Sequence, residues 1–356
     1  MGENVPDQVP PGTTPHRRRP RYSGKYPRHF VEKYKEHDPA RYAETVAKVH
    51  ASGKTAAGTH RPVMLQEVLE ILAPKPGQTV VDCTLGFGGH AREILSRIQP
   101  GGLLIGLDAD PIELSKTTER MRAAGFSETA FSVIRSNFAG LPKVLASLNI
   151  EAVDTVFADL GVSSMQLDNP ERGFSFKFEG PLDMRMNPQR GRSASGLIQK
   201  ISPESLAVLL AENADEPRAK MLASGLAGNH FETTTALKKA IRHALPRLTR
   251  EEQENSIRRV FLALRIAVND EFAALDALLR TLPGLLKAGG RAVILSFHSG
   301  EDRRVKKAFA AGLTAGLYHN IAHELVRPTA AERHANPRSA PAKLRWAIRA
   351  DPSLNK

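Results

Sequence analysis

Small residues and carboxylates follow the first two predicted strands of this chain in a pattern suited to binding a nucleoside. The segment after the first strand reads DCTLGFGGHA, in which Gly86, Gly88 and Ala91 have the G-x-G-x-x-A spacing. Missing side chains at these positions let the backbone turn tightly and approach a ligand. Asp108 ends the second strand, about 20 residues beyond Gly88, where a carboxylate can accept hydrogen bonds from both hydroxyls of an adenosine ribose. The pattern therefore predicts a ligand that contains adenosine.

Two ligands, NAD and S-adenosylmethionine, present that ribose, and Asp82 helps to separate them. This carboxylate ends the first strand, where it would repel the pyrophosphate of a dinucleotide. It suits a ligand that carries an ammonium and a sulfonium group, so S-adenosylmethionine is the favoured cofactor. Each residue also has a structural alternative. Asp82 and Asp108 would cap the next turn or helix, and Gly88 with Gly89 would only permit a tight bend.

A further carboxylate, Asp159, ends the fourth predicted strand in the segment ADLGVSS. Many methyltransferases that act on exocyclic base amines have an acceptor for the amine and a stacking ring at this position; here only the acid is present. Gln166 follows seven residues later, close enough to bring its amide to the adenine or to the base. The Phe- and Met-rich loop 166–187, called the lid loop below, is interpreted either as a lid on a flipped base or as a latch for the helices that follow.

Polar residues also follow the fifth predicted strand, in the segment SFHSGEDRR. His298 has three interpretations there: a general base, a phosphate contact, or a buried core residue. Basic residues of the C-terminal part predict a surface that follows RNA phosphates, with an evenly solvated face as the alternative. These residues are Arg303, Arg304, Lys306, Lys307, Arg327, Arg333 and Arg338.

The elements that must position these residues alternate between strand and helix from about His60. Apolar runs predict strands at 79–82, 103–108, 131–135, 153–159, 291–297, 320–326 and 344–349. Helical spacing predicts helices at 64–72, 91–98, 111–124, 141–148, 203–212, 216–228, 234–245, 257–286 and 301–311. This order is typical of an α/β fold with a doubly wound, mostly parallel sheet. Its interruption after about Ser163 predicts an inserted helical subdomain.

The predicted organisation therefore has five parts. A basic arm (1–59) precedes the first part of the sheet domain (60–165), which is followed by the lid loop with the helical subdomain (166–254), the second part of the sheet domain (255–350) and a tail (351–356). The arm contains the segment HRRRPRYSGKYPRHFVEKYK, whose composition predicts disorder. It would either hold RNA by charge and stacking or only add solubility.

The composition excludes several classes of protein. The chain has 356 residues, 50 Lys and Arg against 38 Asp and Glu, 41% hydrophobic residues and one Cys. One Cys can form neither an internal disulfide nor a Cys-based zinc site, which predicts an intracellular, cytoplasmic protein without a metal. No run approaches the roughly 20 apolar residues of a membrane span, and the first residues lack the apolar segment of a signal peptide. The net charge of +12 favours a polyanionic partner.

Nine segments between His60 and Arg349 carry a family resemblance. The most specific are ADLGVSSMQLDNPERGFSF and GPLDMRMN; the others are HRPVMLQEVLEIL, DCTLGFGGHAREIL, GLDADP, SNF, ALRIAVNDE, FHSGEDR and NPRSAPAKLR. In order and spacing they resemble the bacterial small-subunit rRNA cytosine-N4 methyltransferases, the RsmH/MraW family. The basic arm before His60 lies outside this resemblance.

The resemblance implies a class I methyltransferase core with an inserted helical domain. It implies that S-adenosylmethionine is used to methylate N4 of a decoding-centre cytosine, position 1402 of 16S rRNA, within the small ribosomal subunit. The chain departs from the family pattern at Asn187, where Asp is usual, at Leu262, where Gln is usual, and at Gly300, where Leu is usual. The donor contacts of the family fall on Gly88, Gly89, His90, Asp108, Phe138, Asp159 and Gln166.

Methylation at N4 predicts a direct in-line attack by the amine. The amine lone pair is delocalised into the ring, so the reaction needs close alignment and an acceptor for the amine protons. Asp159 is the predicted acceptor, with Asp183 and Asn187 as alternates. Cys83 lies inside the glycine turn, which argues against the cysteine adduct used for methylation at C5 of cytosine.

Two other functions stay open from the sequence. One is a different nucleic-acid amino-group methyltransferase, for instance one that acts on DNA. The other is a non-catalytic RNA-binding assembly factor that retains the donor pocket. The sequence is also compatible with a homo-oligomer.

Overall fold

A seven-stranded sheet forms the centre of the protein. The computed structural model describes residues 62–351 and 353, so the predicted arm lies outside the described residues. In chain order the strands are β1 (Thr79–Asp82), β2 (Leu103–Asp108), β3 (Phe131–Arg135), β4 (Val153–Asp159), β5 (Leu286–Ser296), β6 (Tyr318–Ile321) and β7 (Lys343–Arg349). Their order across the sheet is β3-β2-β1-β4-β5-β7-β6.

The pairing of the strands confirms the predicted mostly parallel sheet. Strands β1 to β5 run parallel to one another, whereas β7 pairs antiparallel with both β5 and β6. In this register Asp82 at the end of β1 lies beside Gly106 of β2 and Phe157 of β4. The carboxyl ends of the parallel strands therefore meet at one edge of the sheet, which is where open α/β sheets bind ligands.

Helices cover both faces of the sheet and fill the region between β4 and β5. They are α1 (Leu65–Leu72), α2 (Gly89–Ile98), α3 (Pro111–Ala123), α4 (Leu141–Ser147), α5 (Ser164–Asp168), α6 (Ala194–Lys200), α7 (Pro203–Ala214), α8 (Ala219–Leu226), α9 (Thr234–Ala244), α10 (Arg250–Val268), α11 (Glu271–Leu285), α12 (Ser299–Thr314) and α13 (Ala330–Ala335). Single 3₁₀ turns occur at Phe138–Gly140, Pro170–Arg172 and Pro337–Ser339.

Alternate residues of each parallel strand enter two different hydrophobic clusters. Val80 packs in a cluster with side chains of α1 and α2, whereas its neighbour Val81 packs in a cluster with side chains of α4, α11 and α12. Because successive strand residues point to opposite faces, the sheet is buried on both sides. This burial is why the strands are continuous apolar runs in the sequence.

A third hydrophobic cluster belongs to the helical region between β4 and β5. Helices α6 to α9 contribute to it together with Phe174, Leu182 and Met184 of the lid loop. The cluster also contains Ile257 and Phe261, which lie on α10. Helix α10 thus joins the helical region to the second part of the sheet domain.

The prediction of one helix over 257–286 is wrong, because the structure has two helices there. Helix α10 ends at Val268 and α11 begins at Glu271, with Asp270 between them in a left-handed conformation, φ 51°. The side-chain amide of Asn269 donates to the carbonyls of Arg265 (2.9 Å) and Met184 (2.8 Å), which fixes the break. Helical apolar spacing continues across this turn because both helices bury side chains, so periodicity alone did not reveal it.

The last strands also differ from their predicted bounds. The prediction of a strand over 320–326 is wrong beyond Ile321: β6 covers Tyr318–Ile321, and Val326 makes only an isolated bridge to Leu344 of β7. Strand β5 begins at Leu286, before the predicted position 291. Within residues 62–351, no helix combines the length and the apolar character needed to cross a membrane.

Candidate active site

A cavity of 1380 Å³ opens at the carboxyl edge of the parallel strands. Its lining combines the glycine turn after β1, the ends of β2 and β4, part of the lid loop, and residues of α10 and α11. Asp183, one of the alternate acceptors, does not line it. The other predicted site residues do: Gly88, Gly89, His90, Asp108, Phe138, Asp159, Gln166 and Asn187.

The glycine turn is required by backbone conformation and by packing. Gly86 and Gly88 have φ values of 48° and 84°, in the region that favours glycine. A Cβ on Gly88 would lie 2.8 Å from Thr117 Cγ2, and one on Gly89 would lie 2.7 Å from Pro62 Cγ. The hydroxyl of Thr117 donates a hydrogen bond to the Gly86 carbonyl. These contacts place the turn tightly against the protein and leave its other side to line the cavity.

Asp108 is placed to hold an adenosine ribose. Its Oδ2 accepts a hydrogen bond from Gly86 N and its Oδ1 accepts one from Asp110 N, both at 2.8 Å. Each carboxylate oxygen can accept a further hydrogen bond, so both ribose hydroxyls could be bound. Burial, opposed by these hydrogen bonds and reinforced by the charges of Asp110 and Glu113, raises the pKa of Asp108 to about 6.

Asp159 carries an unused acceptor in the same cavity. Its Oδ1 is buried and has no hydrogen-bond partner among the described residues. Its Oδ2 lies 3.8 Å from His90 Nδ1, while its backbone N–H donates to Thr84 Oγ1 at 2.6 Å. Burial, then the charges of Asp82 and Glu301, raise the pKa of Asp159 to about 8. A buried acceptor without a partner destabilises the protein, which points to a hydrogen bond that a ligand completes.

Asp82 influences the cavity without lining it. The side chain is buried, with 1% of its surface exposed, and Oδ1 accepts a hydrogen bond from Thr84 N at 3.0 Å. This is the capping role that the sequence left as the structural alternative. Burial, with a contribution from the charge of Asp108, raises the pKa of Asp82 to about 7. Asp82 can therefore influence a ligand in the cavity through its charge but not by contact.

The alternate acceptors differ in how they are engaged. Both oxygens of Asp183 accept hydrogen bonds from Arg185, from Nε at 2.8 Å and from Nη2 at 2.6 Å. Burial opposes ionisation, but these bonds lower the pKa of Asp183 below its ordinary value. Asn187 does line the cavity, and its Oδ1 accepts a hydrogen bond from Gln189 N at 3.0 Å. Asp183 thus pairs with Arg185 within the lid loop, whereas Asn187 lines the cavity.

A buried network around Asp110 was not foreseen from the sequence. Asp110 Oδ2 accepts hydrogen bonds from Arg172 Nη1 at 2.7 Å and from Gln166 Nε2 at 2.8 Å. Gln166 Oε1 accepts a hydrogen bond from Ser163 N at 2.9 Å. The amide of Gln166 is therefore held between the lid loop and the ribose side of the cavity. The Asp110-Pro111 pair in the sequence signals a helix start, but nothing there connects Asp110 to Arg172.

His298 does not line the cavity. Of its three interpretations, the one as a buried core residue fits its surroundings best. Its Nε2 lies 3.1 Å from Glu301 Oε1, and its ring centroid lies 5.7 Å from that of Phe272. Glu301 itself lines the cavity, as does the bidentate pair of Arg265 and Glu271, in which Nε and Nη2 each lie 2.8 Å from a carboxylate oxygen.

Three of the seven basic residues of the predicted phosphate surface pair with carboxylates. Arg303 lies 3.2 Å from Asp215, and Arg304 Nε lies 3.3 Å from Asp276 Oδ2. Arg338 lines the cavity and pairs with Asp168 at 2.5 Å. Four other exposed cations line the cavity and have no carboxylate partner among the described residues; these are Arg135, Lys177, Arg190 and Arg258.

The donor set fits S-adenosylmethionine. Asp108 offers two acceptors for a ribose, and the glycine turn brings backbone close to the same place. Three carboxylates with raised pKa values at adjacent strand ends favour a ligand that carries positive charge. In the part of the chain that the structure describes, no group of three or more His, Cys, Asp or Glu could hold a metal ion.

Comparison with known proteins identifies the family. The sequence pattern of the MraW methylase family matches residues 57–350. The chain is 46% identical over 345 residues to ribosomal RNA small subunit methyltransferase H 1 of Agathobacter rectalis, covering 94% of this chain and 98% of that protein. It is 47% identical over 342 residues to methyltransferase H 2 of Alkaliphilus metalliredigens, covering 94% and 97%.

These matches complete the assignment. The family pattern begins at residue 57, which agrees with the prediction that the basic arm lies outside the family resemblance, whereas the alignments with the two relatives cover 94% of the chain and therefore extend into the arm. The seven-stranded sheet, the glycine turn and the strand-end acids form a class I methyltransferase core that uses S-adenosylmethionine. The chain belongs to the MraW methylase family.

Proposed function

We propose that the protein transfers a methyl group from S-adenosylmethionine to the exocyclic N4 of a cytosine in 16S rRNA, at position 1402 in the decoding centre of the small ribosomal subunit. The observation that carries this proposal is the buried, unpartnered Oδ1 of Asp159, which lines the same cavity as the ribose-binding Asp108. The two small-subunit rRNA methyltransferases described above, to which the chain is 46% and 47% identical, support the choice of RNA. An rRNA substrate implies that the protein acts in the cytoplasm.

Asp108 and the glycine turn bind and orient the donor in this proposal. The two oxygens of Asp108 are fixed by Gly86 N and Asp110 N, so the carboxylate is oriented before a ligand arrives. Phe138 lines the cavity next to this site and offers an apolar surface to the adenine. When bound, S-adenosylmethionine supplies an electrophilic methyl group on its sulfonium.

Asp159 accepts the hydrogen bond of the amine and then holds its proton. A cytosine amine is a poor nucleophile until its nitrogen becomes pyramidal, because its lone pair is shared with the ring. A carboxylate oxygen at the amine N–H favours that change and takes up the proton that the product must lose. The raised pKa of Asp159 strengthens it as a base. His90, with Nδ1 3.8 Å from Asp159 Oδ2, helps to orient the carboxylate.

The lid loop and the exposed cations of the cavity would hold the RNA. A base in a structured RNA must be extruded or already unpaired to reach a methyl group in this cavity. Lys177, Arg190 and Arg258 are exposed, line the cavity and lack carboxylate partners among the described residues. They are therefore better candidates for phosphate contacts than Arg303 and Arg304, whose guanidinium groups are paired.

The test is nucleoside mass spectrometry of 16S rRNA from a strain that lacks the gene. We expect N4-methylcytidine at position 1402 to disappear and to return with the wild-type gene. The Asp159→Asn variant should not restore it. The exposed Asp276→Asn variant, the matched control, should restore it. A deletion strain that retains the modified nucleoside in rRNA, or loses N4-methylcytosine from DNA instead, would contradict the proposal. Restoration by Asp159→Asn would remove Asp159 from the reaction, and purified wild-type protein without turnover on small subunits would support the assembly-factor alternative.

A further inference from the structure

We propose that Arg172 is a positioning residue that links the donor side of the cavity to its acceptor side. It lies in the lid loop, and its guanidinium is buried, with 9% of the side chain exposed. The proposal rests on the proposed function in one respect only: it takes the lid-loop side of the cavity to be where the acceptor base binds. The link itself consists of hydrogen bonds that run from Asp108 through Asp110 and Arg172 to the backbone before Asn187.

On the donor side, the link begins at the ribose-binding carboxylate. Asp108 Oδ1 accepts a hydrogen bond from Asp110 N at 2.8 Å, so the two residues are held together. Asp110 Oδ1 caps α3 by accepting from Ile112 N at 3.0 Å. Its other oxygen, Oδ2, receives Arg172 Nη1 at 2.7 Å and Gln166 Nε2 at 2.8 Å. A ligand that orders Asp108 therefore also restrains the carboxylate that holds Arg172.

On the acceptor side, the other nitrogen of the guanidinium holds the lid-loop backbone. Arg172 Nη2 donates to the carbonyls of Arg185 (3.1 Å) and Met186 (2.9 Å). Met184 N also donates to the Arg172 carbonyl at 3.1 Å. Arg172 therefore holds residues 184–186 through its side chain and through its backbone. The next residues, Met186 and Asn187, line the cavity. The guanidinium of Arg172 therefore contributes directly to the position of this lining.

The held segment has a backbone that needs such support. Met184 has φ 63°, a left-handed conformation that is unfavourable for a residue with a side chain. Asn269 holds the same segment from the opposite direction: its Oδ1 accepts from Met186 N at 2.7 Å and its Nδ2 donates to the Met184 carbonyl at 2.8 Å. Of these two residues, Arg172 also bonds to Asp110 on the donor side of the cavity.

A second buried ion pair shows what a purely structural role would look like. Arg345 Nε lies 2.6 Å from Asp302 Oδ1, with 9% and 13% of the side chains exposed. Neither residue lines the cavity. The Asp110–Arg172 pair has the same chemistry and burial, but it connects two segments that both line the cavity. Arg345→Lys is therefore a matched control for Arg172→Lys.

The Arg172→Lys substitution would separate the bond to Asp110 from the bonds to the lid-loop carbonyls. A lysine ammonium is a single point of charge, whereas the planar guanidinium donates in two directions at once. We expect Arg172→Lys to keep the pair with Asp110 and to lose the bonds to the carbonyls of Arg185 and Met186. Donor binding and lid-loop order should then become independent, which removes the reciprocal coupling between donor and acceptor affinities.

The first measurement needs no RNA. Amide hydrogen exchange of residues 184–187 is followed in the full-length protein with and without S-adenosylhomocysteine. We expect the ligand to slow exchange in the wild type and in Arg345→Lys by about tenfold, and to have little effect in Arg172→Lys, whose ligand affinity should stay within about threefold of wild type. Equal ligand-induced protection in Arg172→Lys and wild type would overturn the proposal, whatever the RNA substrate proves to be.

The second measurement uses the proposed substrate. For methylation of isolated small subunits we expect Arg172→Lys to lower kcat/KM for the subunit by at least about tenfold, with an unchanged KM for S-adenosylmethionine. Wild-type protein that fails to methylate subunits contradicts the proposed function but leaves the exchange result valid. If Arg172→Lys does not fold, Asp110→Asn, which keeps the cap on α3, replaces it. The same loss of kcat/KM in Arg345→Lys would show a general stability effect and overturn the positioning role.

Discussion

Replacing Asp159 by asparagine should make the ligand-free protein more stable while removing its activity. The wild-type carboxyl is buried at the end of β4, and its pKa rises from an ordinary value of 3.8 to about 8. An acid with a raised pKa in the folded state binds its proton more tightly there than in the unfolded chain. Its favourable contribution is therefore complete below pH 3.8 and is lost as the pH rises to about 8. Asparagine has the same shape and never ionises.

The size of this effect follows from the two pKa values. With about 1.4 kcal/mol for each pH unit, the favourable contribution that is lost amounts to up to about 2 kcal/mol at pH 5 and about 6 kcal/mol above pH 8. About a quarter of the side chain, 27%, is exposed to the cavity, so water reduces both limits. The asparagine amide, without partners, costs about 1–3 kcal/mol at every pH. The advantage of Asp159→Asn should therefore grow by about 1–3 kcal/mol from pH 5 to pH 8.5.

Thermal denaturation of ligand-free protein at a series of pH values tests this directly. For a chain of 356 residues, about 1 kcal/mol corresponds to about 1–2 °C, so the Tm of Asp159→Asn should gain about 1–5 °C over wild type between pH 5 and pH 8.5. The exposed control, Asp276→Asn, should show no such trend. Methylation by Asp159→Asn should fall by at least about a hundredfold. A Tm difference that does not change with pH would refute the burial argument, and wild-type turnover would remove Asp159 from the reaction.

Three further outcomes are expected. Asp108→Ala should weaken binding of S-adenosylmethionine, measured by calorimetry, by at least about tenfold, because hydrogen bonds to a charged acceptor are lost at about 1.5–3 kcal/mol each; unchanged affinity in a folded variant would contradict the ribose role. Lys177→Ala and Arg258→Ala should each lower the slope of log affinity for small subunits against log salt by about 0.7–0.9, whereas Lys307→Ala, on the exposed face of α12, should not; parallel lines would remove the phosphate contacts. Affinity for S-adenosylmethionine should rise with pH from 6 to 8.5 more steeply than affinity for S-adenosylhomocysteine, which lacks the sulfonium charge. Identical pH profiles for the two ligands would show that the strand-end acids do not respond to that charge.

The sequence predicted the positions of Asp108 and Asp159 because they depend on simple rules. Both residues end buried, apolar strands, and strand ends of a parallel sheet meet at one edge. The spacing of the glycine turn before α2 depends equally on local geometry, since Gly86 and Gly88 adopt conformations that few other residues tolerate. Local rules and sheet topology together were therefore sufficient to place the donor side of the cavity.

The acceptor side depends on contacts between distant segments, which the sequence does not specify. Arg172 and Asp110 are 62 residues apart, and their pairing requires the path of the whole lid loop. The loop also shows why two interpretations were left open. Phe174 and Phe176 pack with the helical cluster, which supports a latch, whereas Met186 lines the cavity. One loop contributes to both surfaces.

Gly300 illustrates a departure from the family pattern that the structure explains locally. A Cβ at this position would lie 2.5 Å from Phe272 Cζ, so a larger residue would displace that ring. The guanidinium of Arg304 lies over the same ring, with Cζ 3.7 Å from its centroid. Glycine therefore allows α12 to pack closely on α11. Nothing in the structure explains leucine at position 262.

Asp82 favours a positively charged cofactor although it does not line the cavity. The charge of Asp108 raises the pKa of Asp82, and the charge of Asp82 in turn raises that of Asp159. When all three are ionised, the strand ends hold more negative charge than burial favours. A positively charged ligand relieves this repulsion, and the pyrophosphate of a dinucleotide would increase it. Charge acts over longer distances than hydrogen bonds. The buried Asp82 therefore still favours S-adenosylmethionine over NAD.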